Sequence, residues 1–340
     1  MATPQTTNQG AAAQPAAPAP APAARRETSW ASKLIGVQGP LIGLVALCIV
    51  FSLTTGAFLS FRNLLNVLDQ ITVLGILSIG MTLVIIIGGI DLSVGSVLAF
   101  SMMILGWLSH DWNLPLVVAI VIALLAGALC GWANGLLVTR ARLPAFIATL
   151  SMMTIARGLA NIITDGRQIV GYPDWFDSFA TRRYFGFLSL TVALAIVLVI
   201  VSWIFLRYRS AGRALYAIGG SAEVARLAGI RVRNVTTWVY VASGLLSGLA
   251  GIVLASRLDS SQPSAGLGYE LDAIAAVVIG GASLSGGVGG IGGTVVGVLI
   301  IGVLHNGLNL TGVSPFIQQV VIGVVIALAV SSDTLRRRGS

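Results

Sequence analysis

Ten apolar segments, each near the length needed to cross a bilayer, fill most of this sequence. A spanning helix needs about 20 mostly apolar residues. The pattern therefore predicts an all-α polytopic membrane protein with about ten transmembrane helices. The range is eight to ten, because the eighth and ninth segments are short and interrupted by glycine. The ten segments cover residues 36–57, 67–88, 92–109, 115–138, 144–164, 188–206, 235–256, 270–285, 288–305 and 315–332.

The composition indicates the same class of protein. The 340 residues are 56% hydrophobic and 9% charged, with a mean hydropathy of +0.93, whereas soluble domains carry about 25% charged residues. The net charge of +8 does not indicate nucleic-acid binding, because the basic residues cluster on one predicted face, as the positive-inside rule expects. Both termini are therefore predicted to be cytoplasmic. The basic groups on that face are Arg25, Arg26, Lys33, Arg140, Arg142, Arg207, Arg209, Arg213, Arg226, Arg231, Arg233 and Arg336 to Arg338.

The sequence divides into three regions. Residues 1–33 are rich in Ala and Pro and too poor in large apolar residues to fold, so they are predicted to be a disordered cytoplasmic tail. Residues 34–332 form the predicted transmembrane domain, whose longest cytoplasmic loop is 207–234. Residues 333–340 are predicted to be a basic cytoplasmic tail.

The sequence predicts no catalytic, metal or cofactor site. His110 and His305 have no partner at a ligand spacing. The only lysine is Lys33, so a Walker A motif is absent. Residues 287–292 spell G-x-G-x-x-G, but they lie between apolar spans rather than after a strand, which favours close helix packing over nucleotide binding. The chain is therefore predicted not to be an enzyme, and any ATP hydrolysis belongs to a separate subunit.

One phrase, G-G-x-x-L-S-x-G, occurs twice inside the apolar segments. Each copy ends a run of bulky aliphatic residues, where a glycine pair breaks a helix. Broken helices are tolerated in lipid only where protein or a water-filled path covers the freed backbone groups. The duplication therefore predicts two helix breaks along a translocation pathway. The candidate residues are Gly88, Gly89, Asp91 and Ser93 in the first copy, and Gly280, Gly281, Ser283 and Ser285 in the second.

Asp91 is the charged residue of the first copy. A carboxylate at membrane depth costs about 2.5–3.5 kcal/mol, so it usually has a function. The aligned residue of the second copy is Ser283, and Asp and Ser are both good helix N-caps. We expect Asp91 to cap the following helix, with direct contact to substrate as the alternative.

The loop 207–234 contains a predicted short helix over residues 221–230. Ser221 is a favourable N-cap, Glu223 lies in the first turn, and Gly229 suits the left-handed end. Val224 and Leu227 lie on one face. Two helical turns are not stable alone in water, so the segment docks either on a cytoplasmic partner or on its own neighbouring helix ends.

Arg157 is predicted to lie in the outer half of the fifth span, and Asp69 in the outer half of the second. Charged residues at membrane depth usually pair with one another. We expect a structural ion pair between Asp69 and Arg157.

Several phrases, in order over residues 40–332, resemble the membrane permease of bacterial ABC importers for monosaccharides of the ribose, xylose and galactose type. The resemblance implies a homodimer of permeases, a cytoplasmic ABC ATPase subunit, a periplasmic sugar-binding protein and location in the inner membrane. It also implies that the helix from Glu223 to Gly229, which includes Arg226, is the coupling helix seated in the ATPase. Ser221 departs from the asparagine of many relatives, but both are N-caps. The matching phrases are 88–96, 143–150, Arg157-Gly158, 212–220 and 269–276.

Two other function classes remain open. An ABC permease for another solute (a nucleoside, an amino acid or a signalling sugar) would have the same architecture. An ion-coupled secondary transporter would hold several intramembrane carboxylates or histidines. Asp69, Asp91 and Asp272 are the candidates here, and such a transporter would have no use for a docking helix.

Overall fold

The computed structural model describes the backbone from Trp30 to Arg338, and the side chains of residues 39–328 and 331. Most of the predicted N-terminal tail, residues 1–29 of 1–33, lies outside the described residues. The described chain forms thirteen helices and two short strands. They are α1 (Trp30–Thr54), α2 (Phe61–Ile86), α3 (Val94–His110), α4 (Leu116–Thr139), α5 (Ala145–Ile162), β1 (Ile169–Val170), α6 (Asp174–Thr181), α7 (Leu190–Tyr208), α8 (Ser210–Gly220), α9 (Ala222–Leu227), α10 (Val232–Leu258), β2 (Ser260–Ser261), α11 (Tyr269–Ile279), α12 (Ile291–Leu310) and α13 (Pro315–Arg338).

The predicted helical membrane architecture is confirmed at the level of helix length and composition. Within the described residues, six helices are long and apolar enough to cross a membrane: α2, α4, α5, α7, α10 and α12. Shorter apolar helices are formed by α3 and by parts of α1 and α13. At 1.5 Å per residue, the 11 residues of α11 extend only about 16 Å. The count of ten spans and the cytoplasmic placement of both termini therefore stay predictions.

Two local features differ from the prediction made from the sequence. β1 and β2 pair antiparallel, with Ile169 opposite Ser261. The loop 207–234 holds two helices, α8 and α9, where the sequence predicted one. Both differences have the same cause: short segments take their structure from what they pack against, and periodicity over so few residues is weak.

The core is built around α2 and α10, whose apolar windows are mostly buried, while α4, α5 and α7 are mostly exposed on the periphery. Glycines let α4 and α10 approach closely. A Cβ on Gly127 would lie 2.5 Å from the carbonyl oxygen of Gly244, and one on Gly131 would overlap the carbonyl oxygen of Tyr240. These glycines of α4 therefore pack within the chain, as small-residue faces of membrane helices do.

The bundle has two chemically distinct ends. One end carries α8 and α9 and is called the α8–α9 end. The other carries β1, β2 and α6 and is called the β1–β2 end. At the β1–β2 end, Ser261 Oγ donates to the carbonyl of Met102 at 2.6 Å and is 2.6 Å from Tyr172 Oη, which ties the strand pair to α3.

Candidate functional site

The two glycine-rich phrases form two helix ends of the same type. After α2, Gly88 N donates to Ile85 O and Gly89 N donates to Val84 O, both at 2.9 Å. After α11, Gly281 N donates to Val278 O at 2.9 Å and Ala282 N to Val277 O at 3.1 Å. This pair of bonds defines a Schellman end. Its left-handed residue is Gly88 (φ 79°) in the first copy and Gly281 (φ 92°) in the second.

The structure shifts the alignment of the two copies by one residue. The equivalent of Gly88 is Gly281, not Gly280, so the equivalent of Asp91 is Leu284 rather than Ser283. Ser283 also does not begin a helix, because α12 starts only at Ile291. The comparison of Asp91 with Ser283 as two helix caps was therefore wrong. The two copies of the motif lie at positions that differ by one residue relative to the helix ends.

The two helix ends contact each other directly. Gly287 N donates to Ile86 O at 2.8 Å, so the loop after α11 satisfies a carbonyl left free at the end of α2. Gly286 lies in the same contact, where a Cβ would be 2.9 Å from Gly88 N. Gly280 packs on the start of α12, where a Cβ would overlap the carbonyl of Gly293. The two helix breaks thus pack against each other through backbone atoms, and this contact region is called the junction.

Asp91 is buried beside the first break, with 1% of its surface exposed. One carboxylate oxygen accepts from Ser93 N (3.0 Å) and Ser93 Oγ (2.6 Å), and the other accepts from Ser243 Oγ of α10 (2.8 Å). Asn134 of α4 donates to Ser93 Oγ at 2.9 Å. The carboxylate therefore satisfies a backbone donor just before α3, whose N-cap is Ser93, and also joins α3 to α10.

Helix α8 connects the junction to the α8–α9 end. Gly219, near the end of α8, lies so close to the junction that a Cβ would overlap Ile86 O and Gly287 N. Tyr216 Oη donates to Gly289 O at 3.0 Å. Burial raises the pKa of the Tyr216 hydroxyl. The end of α8 is therefore in direct contact with both helix breaks.

The predicted short helix in the loop is present as α9. Ser221 Oγ accepts from Val224 N at 3.3 Å, and Gly229 takes a left-handed φ of 82° after the last turn. Arg226 and Glu223 form an exposed ion pair at 2.5 Å. Val224 and Leu227 are 64% and 75% exposed. The apolar face of α9 is therefore open rather than packed on neighbouring helix ends.

The predicted pair of Asp69 with Arg157 is replaced by two separate arrangements. Asp69 forms an ion pair with Arg183 and accepts from Ser189 Oγ at 3.0 Å. Arg157 donates from Nη1 to the carbonyls of Pro263 (2.6 Å) and Ala265 (2.8 Å). The prediction was wrong because loop residues at the β1–β2 end fold back over the helix ends and supply nearer partners.

Sequence reasoning missed the partners of two other polar residues. His305 Nε2 lies 3.2 Å from the Asp272 carboxylate, beside a small cavity of about 170 Å³ that Gln70 and Arg257 also line. Ser243 is the missed partner of Asp91. The available signal was the small-residue stripe of α10, in which Ser243, Gly244, Ser247, Gly248 and Gly251 recur at helical spacing.

The sequence predicts neither a metal site nor a nucleotide-cofactor site. Within the described residues, no group of three or more His, Cys, Asp or Glu side chains could hold a metal ion. The G-x-G-x-x-G phrase at 287–292 contributes to the junction described above and to the start of α12, and the element directly before it is the helix α11 rather than a strand. It therefore lacks the context of a dinucleotide site.

Known proteins similar to this chain are transport permeases. The family model described as a branched-chain amino acid transport system permease component matches residues 63–330. The ribose import permease of Bacillus subtilis is 47% identical over 87% of this chain and 92% of its own length, and that of Escherichia coli K12 is 43% identical over 88% and 94%. The fructose import permease of Rhizobium meliloti is 36% identical over 88% and 85%. No solved structure matches the chain.

These matches and the apolar helices agree on a multi-pass protein of the bacterial inner membrane. The relatives are transport components rather than enzymes. The chain belongs to the permease family of ABC importers for monosaccharides.

Proposed function

We propose that this chain is the membrane subunit of an ATP-driven monosaccharide importer, in which two copies form the translocation pathway. A separate ABC ATPase would supply the energy, and a sugar-binding protein outside the membrane would deliver the substrate. The family membership supports this assignment. Ribose is the first sugar to test, because the relatives with 43–47% identity carry that name, while fructose and arabinose permeases are 36% identical.

The observation that carries the proposal is the continuous path from α9 to the two helix breaks. α9 offers an exposed surface of Val224, Leu227 and the Glu223–Arg226 pair. Ser221 alone separates it from α8. Gly219 of α8 then lies against Ile86 and Gly287. An ATPase that binds α9 would therefore act directly on the junction.

The proposed mechanism follows from this contact. ATP-driven closure of the ATPase subunits would push α9 and α8, and the backbone contacts of Gly219 would carry that motion to the ends of α2 and α11. Because Gly88 and Gly281 already end their helices, the segments after them can change direction without breaking regular helix. Asp91 would hold α3 to α10 while this happens, which makes it a structural residue rather than a substrate ligand.

The proposed topology places the α8–α9 end in the cytoplasm. Ten spans, with α11 as the short eighth, would leave both termini there, including the tail regions 1–33 and 333–340. The exposed arginines of the loop 207–234 support this orientation.

The experiment is to purify the tagged chain from its host in mild detergent and to identify the copurifying proteins. A variant with Glu223→Arg and Arg226→Glu keeps both charges but reverses their positions, and Arg209→Glu is a matched surface control outside α9. We expect a Walker-type ATPase with the parent chain and with the control, and its loss from the reversed variant. Recovery of folded parent chain without any ATPase would contradict the proposal and favour an ion-coupled transporter.

A further inference from the structure

A basic cavity lies at the α8–α9 end, on the side formed by α4 and α10. It encloses about 660 Å³ and is lined by the end of α4, the residues after it and the start of α10. Three arginines line it: Arg140, Arg142 and Arg233. Within the described residues, none of these three side chains forms a hydrogen bond or an ion pair. Among the residues that line it, the cavity therefore holds three positive charges and no acidic side chain.

Two tryptophans line the same cavity. Trp132 is 48% exposed and Trp238 is 70% exposed. Tryptophan is enriched at membrane interfaces, where its ring sits at the level of the lipid headgroups. Their position beside the arginines is the one expected of a cavity at headgroup depth.

An exposed aliphatic stripe leads into the cavity along α4. Val121, Leu125, Leu129 and Trp132 recur at helical spacing, are all exposed, and end at the lining residue Leu136. The surface is thus apolar along the helix and cationic at its end. This arrangement, with an apolar surface followed by a cationic one, is complementary to an amphiphile that has an acyl chain and an anionic headgroup.

We propose that this cavity binds the headgroup of an anionic phospholipid, with an acyl chain along the α4 stripe. Basic pockets between membrane helices bind such headgroups. Arginine suits the role, because its planar guanidinium makes paired hydrogen bonds to phosphate. A second copy of the chain centred here would bring like charges together, and a soluble partner would leave the aliphatic stripe unexplained. None of the residues that line the cavity belongs to α9.

The test is native mass spectrometry of the full-length, delipidated chain, titrated with phosphatidylglycerol and with phosphatidylcholine. The parent chain should bind phosphatidylglycerol more tightly. Arg140→Gln with Arg233→Gln should weaken phosphatidylglycerol binding about tenfold or more, since each basic residue near a membrane surface contributes about 1 kcal/mol. The matched control, Arg209→Gln with Arg231→Gln, removes two cations from the same end outside the cavity and should change binding less than about twofold.

A charge-conserving pair, Arg140→Lys with Arg233→Lys, keeps the test informative if the glutamine pair unfolds. It should bind phosphatidylglycerol more tightly than the glutamine pair but less tightly than the parent, because lysine keeps the charge and loses the paired hydrogen bonds to phosphate. Equal weakening by the cavity pair and its control would show diffuse attraction and overturn the proposal. Unchanged lipid binding in the cavity pair would overturn it too. If that pair instead lost the copurifying ATPase, the cavity would be a protein contact.

Discussion

At the residue scale, the hydrogen bonds of the buried carboxylate of Asp91 support the structural role that we propose for it. Its two oxygens accept three hydrogen bonds, from the backbone and side chain of Ser93 and from Ser243 on another helix. Hydrogen bonds to a charged acceptor are about twice as strong as neutral ones. The sequence predicted a capping role for Asp91, but it did not predict the partner Ser243 on α10, because 152 residues separate the two.

Substitutions of Asp91 distinguish this structural role from substrate contact. Asp91→Asn keeps one acceptor for Ser93, and its amide can donate to Ser243 Oγ, so we expect retention of much of the transport. Asp91→Leu leaves the Ser93 N–H buried without a partner, which costs about 1–3 kcal/mol, so transport and thermal stability should both fall. The measurements are uptake in vesicles and thermal unfolding. Asn as damaging as Leu would show that the negative charge itself is required.

The ion pair at the β1–β2 end gives a second prediction. Asp69 and Arg183 are partly buried, with side chains 14% and 26% exposed. A double-mutant cycle with Asp69→Asn and Arg183→Gln should give a coupling energy of about 1 kcal/mol in thermal unfolding. The cycle of Asp69→Asn with Arg157→Gln is the control and should be additive. A larger coupling energy in the control cycle would contradict this prediction and support the pairing of Asp69 with Arg157 that the sequence suggested.

At the element scale, the central helices pack through glycine. The α4–α10 contact is so close that Gly131→Ala would press a methyl group against Tyr240 O, while Gly158→Ala in α5 meets nothing within 4 Å. We expect Gly131→Ala to destabilise the protein by about 1–3 kcal/mol, as overpacked cores do, and Gly158→Ala to change stability little. Thermal unfolding in detergent measures both, and equal effects would contradict the packing.

The long apolar helices were the most predictable elements. A segment such as 115–138 reproduces α4 (Leu116–Thr139) within one residue at each end, because apolar length alone specifies it. The glycines predicted the two helix breaks, but the sequence did not predict which residues of the two copies are equivalent. The hydrogen bonds show that Gly88 corresponds to Gly281, one residue later than the aligned motifs indicate. α8 was missed because its role lies in contact with Ile86 and Gly287, far away in sequence.

At the scale of the whole molecule, the fold connects an exposed helix to its interior through backbone contacts. The apolar side chains of α9 are exposed, and α8 connects α9 to the junction. Gly219 of α8 contacts both helix breaks. Packed interiors respond to displacement by switching between discrete arrangements rather than by gradual deformation. This architecture suits a subunit that moves when another protein pushes on it.

We propose that motion passes from α9 through Gly219 to the helix breaks. The most direct test is sugar uptake and ATP hydrolysis by the complete importer in vesicles, with Gly219→Ala compared to Gly220→Ala. Position 220 has nothing within 4 Å of an added Cβ, whereas one at 219 overlaps the junction. We predict that the Gly219→Ala complex assembles but loses most uptake and its stimulation of ATP hydrolysis by the loaded binding protein, while Gly220→Ala behaves as the parent. Normal, stimulated uptake with Gly219→Ala would contradict the account.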